Sequence, residues 1–311
     1  MKTLLLGANG QLGRSFIQHG GLAGLGQLVA ASRDGRQFDG ADIAAIDLAE
    51  PARLGHALDR AQPQIIINTA AYTAVDRAES ELALALRVNG EAVGVVGDWA
   101  RRHDALVVHY STDYVFAGDR PHPYAEDAAT APLGAYGRSK LAGEQALRDS
   151  GARHFILRTS WVYSVHGQNF LRTMLRLARE RDVLRVVADQ HGAPTSTNLI
   201  VEATLAALQQ WRQGSVSEQA AMQGTYHLVA SGETTWHEFA RSIFGVAQAL
   251  GLIARQPEVE AISTAQFPTP ARRPAYSVLD NRAFQRQFAF KLPFWRDGLE
   301  PVMRQLAING S

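Results

Sequence analysis

Tyr136 and Lys140 stand four residues apart in the run Tyr136-Gly137-Arg138-Ser139-Lys140, a spacing that puts both side chains on one face of a helix. A phenol with an ordinary pKa near 10 donates a proton poorly at neutral pH. A neighbouring ammonium favours the phenolate, lowers that value and makes tyrosine a usable acid or base. The same amine can hydrogen-bond ribose hydroxyls. Alone the pair is a weak signal, because a tyrosine and a lysine on one face usually mean a packed ring and a solvated amine. Two other groups add weight. Ser111-Thr112-Asp113-Tyr114 ends an apolar run with hydroxyls and a carboxylate, and Gly7-Ala8-Asn9-Gly10-Gln11-Leu12-Gly13 follows the first apolar run. Three glycines let the backbone turn tightly and approach a pyrophosphate, whose charge a helix N-terminus favours. The spacing is GxxGxxG, one residue longer in its first gap than the GxGxxG fingerprint, and a glycine turn can also serve helix packing alone. Its place between a strand and a helix favours the dinucleotide.

Such groups need elements that carry them to one edge. Apolar runs at 2–6, 27–31, 64–68, 105–110 and 154–158 read as strands, alternating with helical stretches at 11–19, 51–60, 80–102 and 136–150. Leu4-Leu5-Leu6, Ile65-Ile66-Ile67 and Leu106-Val107-Val108 are continuous rather than alternating, as expected of strands buried on both faces of a parallel sheet. The βαβα order predicts an α/β fold, a doubly wound parallel (Rossmann) sheet. Helices at 170–181 and 197–212 and strands at 184–187 and 226–229 would extend it. A helix at 235–250 and a proline-bearing loop at 267–274 predict a smaller mixed α/β substrate-binding part. The expected division is a dinucleotide-binding domain at 1–160, joined by elements from 184–230, and a mainly substrate-binding region at 161–311 interleaved with it. No Gly/Ser linker separates the halves, so a cleft is expected between them.

In an open parallel sheet, ligands bind outside the carboxyl ends of the strands. The second strand ends at Ser32-Arg33, where a hydroxyl and a guanidinium suit a 2′-phosphate and favour NADPH, with NADH still possible. Arg33 can equally be a surface arginine, with Asp34 as the ribose ligand. Asp47-Leu48 can meet the adenine edge, or Asp47 can cap the helix starting near Pro51. The third strand runs into Asn68-Thr69-Ala70-Ala71-Tyr72-Thr73, whose small residues admit a cofactor close to the backbone. Asp76 and Ser80 read as helix-start residues. The fifth strand ends in Arg158-Thr159-Ser160-Trp161.

Composition narrows the classes. Thirty-one Lys+Arg against 30 Asp+Glu give a net charge of +1, which offers no general pull toward nucleic acid or anionic membrane. The absence of cysteine excludes disulfides, thiolate metal sites and cysteine nucleophiles, and fits a cytoplasmic setting. No apolar run approaches the roughly 20 residues that cross a bilayer, and the start is too short and wrongly flanked for a signal peptide. Only Lys2, Lys140 and Lys291 are lysine.

At these residues the chain resembles the extended short-chain dehydrogenase/reductase superfamily acting on nucleotide sugars, and within it the dTDP-4-dehydrorhamnose reductase family. The matching segments span nearly the whole chain: GANGQLG, NTAAYTAVDRAE, HYSTDYVF, YGRSKLAGE, RTSWVY, NFLRTMLRLA, HLVASGETTW and PTPARRP. The resemblance implies NADPH-dependent reduction of the 4-keto group of dTDP-4-dehydro-β-L-rhamnose, the last step of dTDP-rhamnose synthesis. It implies Tyr136 as proton donor, Lys140 as its partner and ribose anchor, and Thr112 on the sugar carbonyl oxygen or tuning Tyr136. Gly10, Gln11, Leu12, Asp47, Leu48, Ala71, Tyr72 and Thr73 would contact the cofactor, beside Gly7, Gly13, Ser32, Arg33 and Ala70 read above. Asp113, Tyr114 and Trp161 would contact the nucleotide sugar, and Arg272 its pyrophosphate. Some members hold magnesium at a dimer interface through a glutamate early in the first helix; Arg14-Ser15 stands there, which argues against a metal-bridged dimer and predicts no metal site. Magnesium dependence, and monomer against homodimer, stay open. Related dehydratases would carry Thr-Asp-Glu where this chain has Thr112-Asp113-Tyr114, so net reduction is expected over elimination or epimerisation. A non-catalytic relative, the regulatory subunit of methionine adenosyltransferase, is disfavoured by the intact Thr112, Tyr136 and Lys140.

Overall fold

β-favouring runs pair in parallel wherever the chain is apolar on successive residues. In the computed structural model, which describes residues 1–309, these are β1 (Lys2–Leu6), β2 (Gln27–Ser32), β3 (Ala44–Ala45), β4 (Ile65–Asn68), β5 (Leu106–Thr112) and β6 (Arg153–Thr159). Four short strands follow: β7 (Val162–Tyr163), β8 (Val183–Val187), β9 (His191–Gly192) and β10 (Thr195–Ser196). The chain then returns with β11 (Gly224–His227), β12 (Thr234–Thr235) and β13 (Glu258–Ile262). The main sheet has seven parallel strands in the order β11-β6-β5-β4-β1-β2-β3, with the reversal beside β1 that defines a doubly wound fold. Three two-stranded sheets, β10-β7, β12-β9 and β13-β8, form the smaller mixed part. Residues 310–311, the end of the expected 161–311 region, lie outside the described residues.

The continuous apolar runs are explained by cover on both faces. Leu5, Ile65, Ile67, Val108, Phe155 and Leu157 belong to one buried cluster, while their neighbours Leu4, Ile66, Val107 and Ile156 belong to another. The second cluster is closed by α2 (Pro51–Ala61), α4 (Ala92–Arg102) and α5 (Ala135–Asp149), and α1 (Gln11–His19) closes the first through Phe16. A five-residue helix, α3 (Leu82–Leu86), precedes α4. From the second half, α6 (Phe170–Glu180), α7 (Thr197–Gln213), α8 (Val216–Met222) and α9 (Trp236–Ala249) follow, then α10 (Arg282–Phe288) and α11 (Leu299–Asn309).

Three details differ from the sequence expectation. The 184–187 strand does not extend the main sheet; β8 pairs with β13, because its alternating burial leaves one face to solvent. The strand expected at 226–229 begins two residues earlier and ends at His227. The helix expected over 80–102 is interrupted by a π turn at Arg87–Glu91, where Asn89 and Gly90 are buried.

Candidate active site

The Gly7–Gly13 turn leaves β1 and enters α1. Gly7 has φ +82, and a Cβ there would fall 2.7 Å from the Ala70 nitrogen. A Cβ on Gly13 would lie 2.2 Å from the Gly7 carbonyl oxygen, so this glycine lets helix and turn touch. Gly10 caps α1 with no side-chain bond, and the first turn of the helix carries no acid. Its first N–H groups therefore have no side-chain cap, an arrangement whose chemistry suits an anion. The Gln11 side chain is turned the other way: its amide oxygen accepts from Ser164 Oγ at 3.1 Å and Asn169 Nδ2 at 2.9 Å.

At the end of β2 the buried Ser32 hydroxyl lies 2.9 Å from Asp34 Oδ1 and 2.8 Å from the Arg36 carbonyl. It is committed inside the loop, while Arg33 is exposed. The Ser32 hydrogen bond, first among several causes, holds the Asp34 carboxyl below the usual carboxylate range. Asp47 does not cap α2: the cap position is Glu50, and Asp47 Oδ1 accepts from the Ala49 N–H at 2.8 Å. Leu48 is buried beside it.

The segment Ala70–Thr73 is fastened by a residue the sequence did not single out. Asn89, in the π turn, accepts from Tyr72 N–H at 2.8 Å, donates to the Tyr72 carbonyl at 3.0 Å and donates to Ser139 Oγ at 2.9 Å. Tyr72 donates its hydroxyl to Glu81 at 2.7 Å. Asp76 does stand at the start of a helical turn, the 3₁₀ turn Arg77–Glu79, but its side chain does not cap it; it accepts from Arg273 at 3.0 Å and from Ala271 N–H at 3.2 Å, tying the 271–273 stretch to this segment. Ser80 bonds back to the Arg77 carbonyl.

β5 runs past its expected end to Thr112, pairing with β6 as far as Thr159, so Thr112 and Asp113 sit on the carboxyl edge of the sheet. Thr112 donates to Asp113 Oδ1 at 3.0 Å, whereas the buried Asp113 Oδ2 has no partner. Burial pushes the Asp113 carboxyl up to about 6. Tyr114 meets Tyr136 edge-on with centroids 5.9 Å apart. Burial, reinforced by the Asp113 charge and opposed by Thr112, pushes Tyr136 up to about 12. Lys140, one turn on, is 2% exposed; its ammonium is disfavoured by burial and its pKa falls to about 8. It donates to the Tyr110 carbonyl at 2.6 Å and stands 3.4 Å from His109 Nε2. In this arrangement burial dominates both groups, and the tyrosine is held as a protonated phenol.

Trp161, between β6 and β7, is in the left-handed region at φ +47 and stacks on Trp236 at 3.5 Å between centroids. Gly192 makes room for the indole, since a Cβ there would lie 2.4 Å from it. Arg272 is exposed, and its carbonyl approaches Gly134 at the cap of α5. The elements thus bring Gly7–Gly13, Ala70–Thr73, Thr112–Tyr114, Tyr136 and Lys140 to one edge, with Trp161 and Arg272 on strand and loop ends beyond it. Asn89, His109, Trp236 and the Asp76–Arg273 pair escaped the sequence reading; the one signal was His109 inside the otherwise apolar Leu106–Thr112 run. Among the described residues no cluster of three or more His, Asp or Glu side chains could hold a metal, and Ser15, at the start of α1, is spent on Thr197 and the Gln11 carbonyl.

Residues 1–308 match the family described as the RmlD substrate binding domain. The dTDP-4-dehydrorhamnose reductase of Burkholderia thailandensis is 44% identical over 311 residues, covering 98% of this chain and 99% of the relative. Among solved structures, a dTDP-4-dehydrorhamnose reductase from Clostridium acetobutylicum has a TM-score of 0.85 at 31% identity, covering 98% of this chain and 99% of its own. The Bacillus anthracis dTDP-4-dehydrorhamnose reductase in complex with NADP has a TM-score of 0.83 at 33% identity, with the same coverage. By sequence over its full length and by fold, this chain belongs to the RmlD family of dTDP-4-dehydrorhamnose reductases.

Proposed function

We propose that the chain reduces the 4-keto group of dTDP-4-dehydro-β-L-rhamnose with NADPH, giving dTDP-β-L-rhamnose. The observation that carries this reading is the convergence of Thr112, Tyr136 and Lys140 on the edge that also holds the glycine turn. Full-length similarity to reductases of this name supports it. The cofactor fits the residues present: Gly7 and Gly13 keep the turn clear where a Cβ would collide, and the N-terminus of α1 has no side-chain cap. The backbone of Gly10–Gly13 would hold the pyrophosphate, Ala70–Thr73 and Lys140 the nicotinamide half, and Asp47-Leu48 the adenine side. With Ser32 committed to its loop, Arg33 is the group left to meet a 2′-phosphate. Bound there, NADPH would supply a hydride to the sugar carbonyl carbon.

The chain's own part is to bind, orient and protonate. Tyr136 gives its hydroxyl proton to the sugar oxygen, and a phenol pushed up to about 12 remains protonated throughout the neutral range. Thr112 turns its hydroxyl from Asp113 to that oxygen, which leaves the Asp113 carboxylate for a sugar hydroxyl. Trp161, Tyr114 and Arg272 form the sugar-nucleotide side. In domain terms, residues 1–160 serve the dinucleotide, and the later part mainly the sugar nucleotide.

The test is coenzyme consumption with enzymatically prepared 4-keto substrate, using NADPH and NADH in parallel, and identification of the sugar formed. The expected product is dTDP-β-L-rhamnose, with NADPH the better reductant. General acid help is typically worth about 10²–10⁴ in rate, so Tyr136→Phe should lower kcat by that order while sparing NADPH binding. Near-normal turnover in that variant would remove Tyr136 from the mechanism, and no turnover in the unaltered chain would remove the reaction.

A further inference from the structure

We propose that Asn68 and His109 are positioning residues that set the protonation of Lys140: Asn68 fixes the imidazole tautomer, and His109 aims its Nε2–H at the lysine amine. The argument begins at the backbone. Ala70 N–H donates to Asn68 Oδ1 at 3.2 Å, which fixes which end of the amide faces inward. Asn68 Nδ2 is then 3.2 Å from His109 Nδ1. An amide NH₂ can only donate, so Nδ1 must accept, and a neutral imidazole must carry its proton on Nε2. That nitrogen is 3.4 Å from Lys140 Nζ, which already donates to the Tyr110 carbonyl at 2.6 Å.

All three side chains are buried, at 2%, 0% and 2% exposed for Asn68, His109 and Lys140, so a mismatch among them is not relieved by ready hydration. An ammonium would set donor against donor at Nε2, whereas the neutral amine accepts that hydrogen and still bonds Tyr110. Burial acts in the same direction on the lysine, and it also holds His109 neutral, well below its usual value, with Lys140 and His154 adding to the effect. The other titratable groups packed nearby are few. Glu144, on α5, pulls Lys140 upward but is itself paired with Arg158 at 2.7 Å and Arg148 at 3.2 Å. His154 and Tyr110, on β6 and β5, and Tyr136 on α5, itself under the influence of Asp113 after β5, are the others. The consequence is a lysine that gives up its proton near neutral pH. After Tyr136 protonates the sugar oxygen, such a lysine can return a proton to the phenolate, becoming the amine for which His109 already holds a donor, and regain one from solvent.

This use of Lys140 rests on the reductase reading, so the first measurement is independent of activity. The chain has three lysines, and ¹³Cε-labelled lysine therefore gives three resonances, that of Lys140 identified by its loss in Lys140→Arg. The unaltered protein should show Lys140 titrating near 8, and ¹⁵N spectra should show His109 with a bare Nδ1 and a protonated Nε2. His109→Gln, which can turn an amide oxygen to the amine, should raise the Lys140 midpoint by about 1 pH unit or more. Asn68→Leu, which releases the tautomer, should raise it likewise. The alkaline limb of the kcat profile should move up with the midpoint in both. A Lys140 midpoint in the ordinary lysine range, a proton on His109 Nδ1, or variants that lose rate equally at every pH would each overturn the proposal. If a variant does not fold, the two measurements on the unaltered chain decide. An inactive chain with the expected midpoint and tautomer would refute the reductase reading and leave the positioning pair intact.

Discussion

Asp113 is 2% exposed, with Thr112 on Oδ1 and Oδ2 left unpaired; burial outweighs the opposing effect of Ser277, Thr112 and the nearby backbone, so its charge is held in the fold at a cost. Its carboxyl rises from 3.8 to about 6 on folding. Between those values the folded chain binds more protons than the unfolded one, so stability falls as pH rises, and the loss is complete above about 6. A rise of that size corresponds to roughly 3 kcal/mol. Asp113→Asn keeps the oxygen that Thr112 reaches and removes the charge. It should stabilise the protein by about 1–3 kcal/mol at pH 8, and the gain should vanish below pH 4. Urea unfolding at the two pH values reads this directly. A gain independent of pH would mean that the carboxylate is not the strained group. Reduction should slow in the same variant, because the unpartnered oxygen faces the sugar side in the proposed mechanism.

One short element ties the segment after β4 to α5. The π turn Arg87–Glu91 turns Asn89 inward, where one amide satisfies the N–H and C=O of Tyr72 and the hydroxyl of Ser139 on α5. The packing is tight: a Cβ on Gly143 of α5 would lie 2.0 Å from the Asn89 carbonyl oxygen. Asn89→Ala strands two backbone groups and should cost about 1–3 kcal/mol of stability. With the 70–73 segment loosened by about 1.4 kcal/mol, KM for NADPH should rise about tenfold with kcat little changed. A fall in kcat at constant KM would place Asn89 in the chemistry instead. The same element shows where sequence reading ends. Continuous triplets such as Ile65-Ile66-Ile67 announce a doubly covered strand, and Tyr136 with Lys140 announces a shared helix face. Neither apolar periodicity nor composition marks a single π turn, because one extra residue leaves the pattern of Leu82–Arg102 helical on both sides. His109 in Leu106–Thr112 looks like any polar interruption until β4 and α5 are placed against it. Asp76 and Arg273 meet only because the 271–273 loop folds back across the chain.

At the scale of the molecule, the two halves of the chain share one core. One face of the sheet, through Leu5, Ile67, Val108 and Phe155, packs in the same buried cluster as Ile200, Leu208, Phe244, Phe288 and Met303 from the second half. β11 pairs with β6 and would leave its edge bare if removed. The ion pair of Arg158 with Glu144 adds a second tie: Arg158 also donates to the Glu126 carbonyl at 3.1 Å, and the Glu126 side chain accepts from the His227 N–H at 3.0 Å. Binding of two ligands in a cleft does not require two independently folding parts, and here one face of the sheet is covered, beside α1, largely by helices from the second half of the chain. The chain should therefore unfold in one cooperative step. Tryptophan fluorescence, with Trp161, Trp211, Trp236 and Trp295 in the second half and Trp99 in the first, should give the same denaturant midpoint as far-ultraviolet circular dichroism. A fragment of residues 1–160 should lack a cooperative transition, because the face that α7, α9, α10 and α11 cover would be open to water. Two separated transitions in the whole chain, or a fragment that folds alone and binds NADPH, would show instead that the dinucleotide part is a domain in the energetic sense.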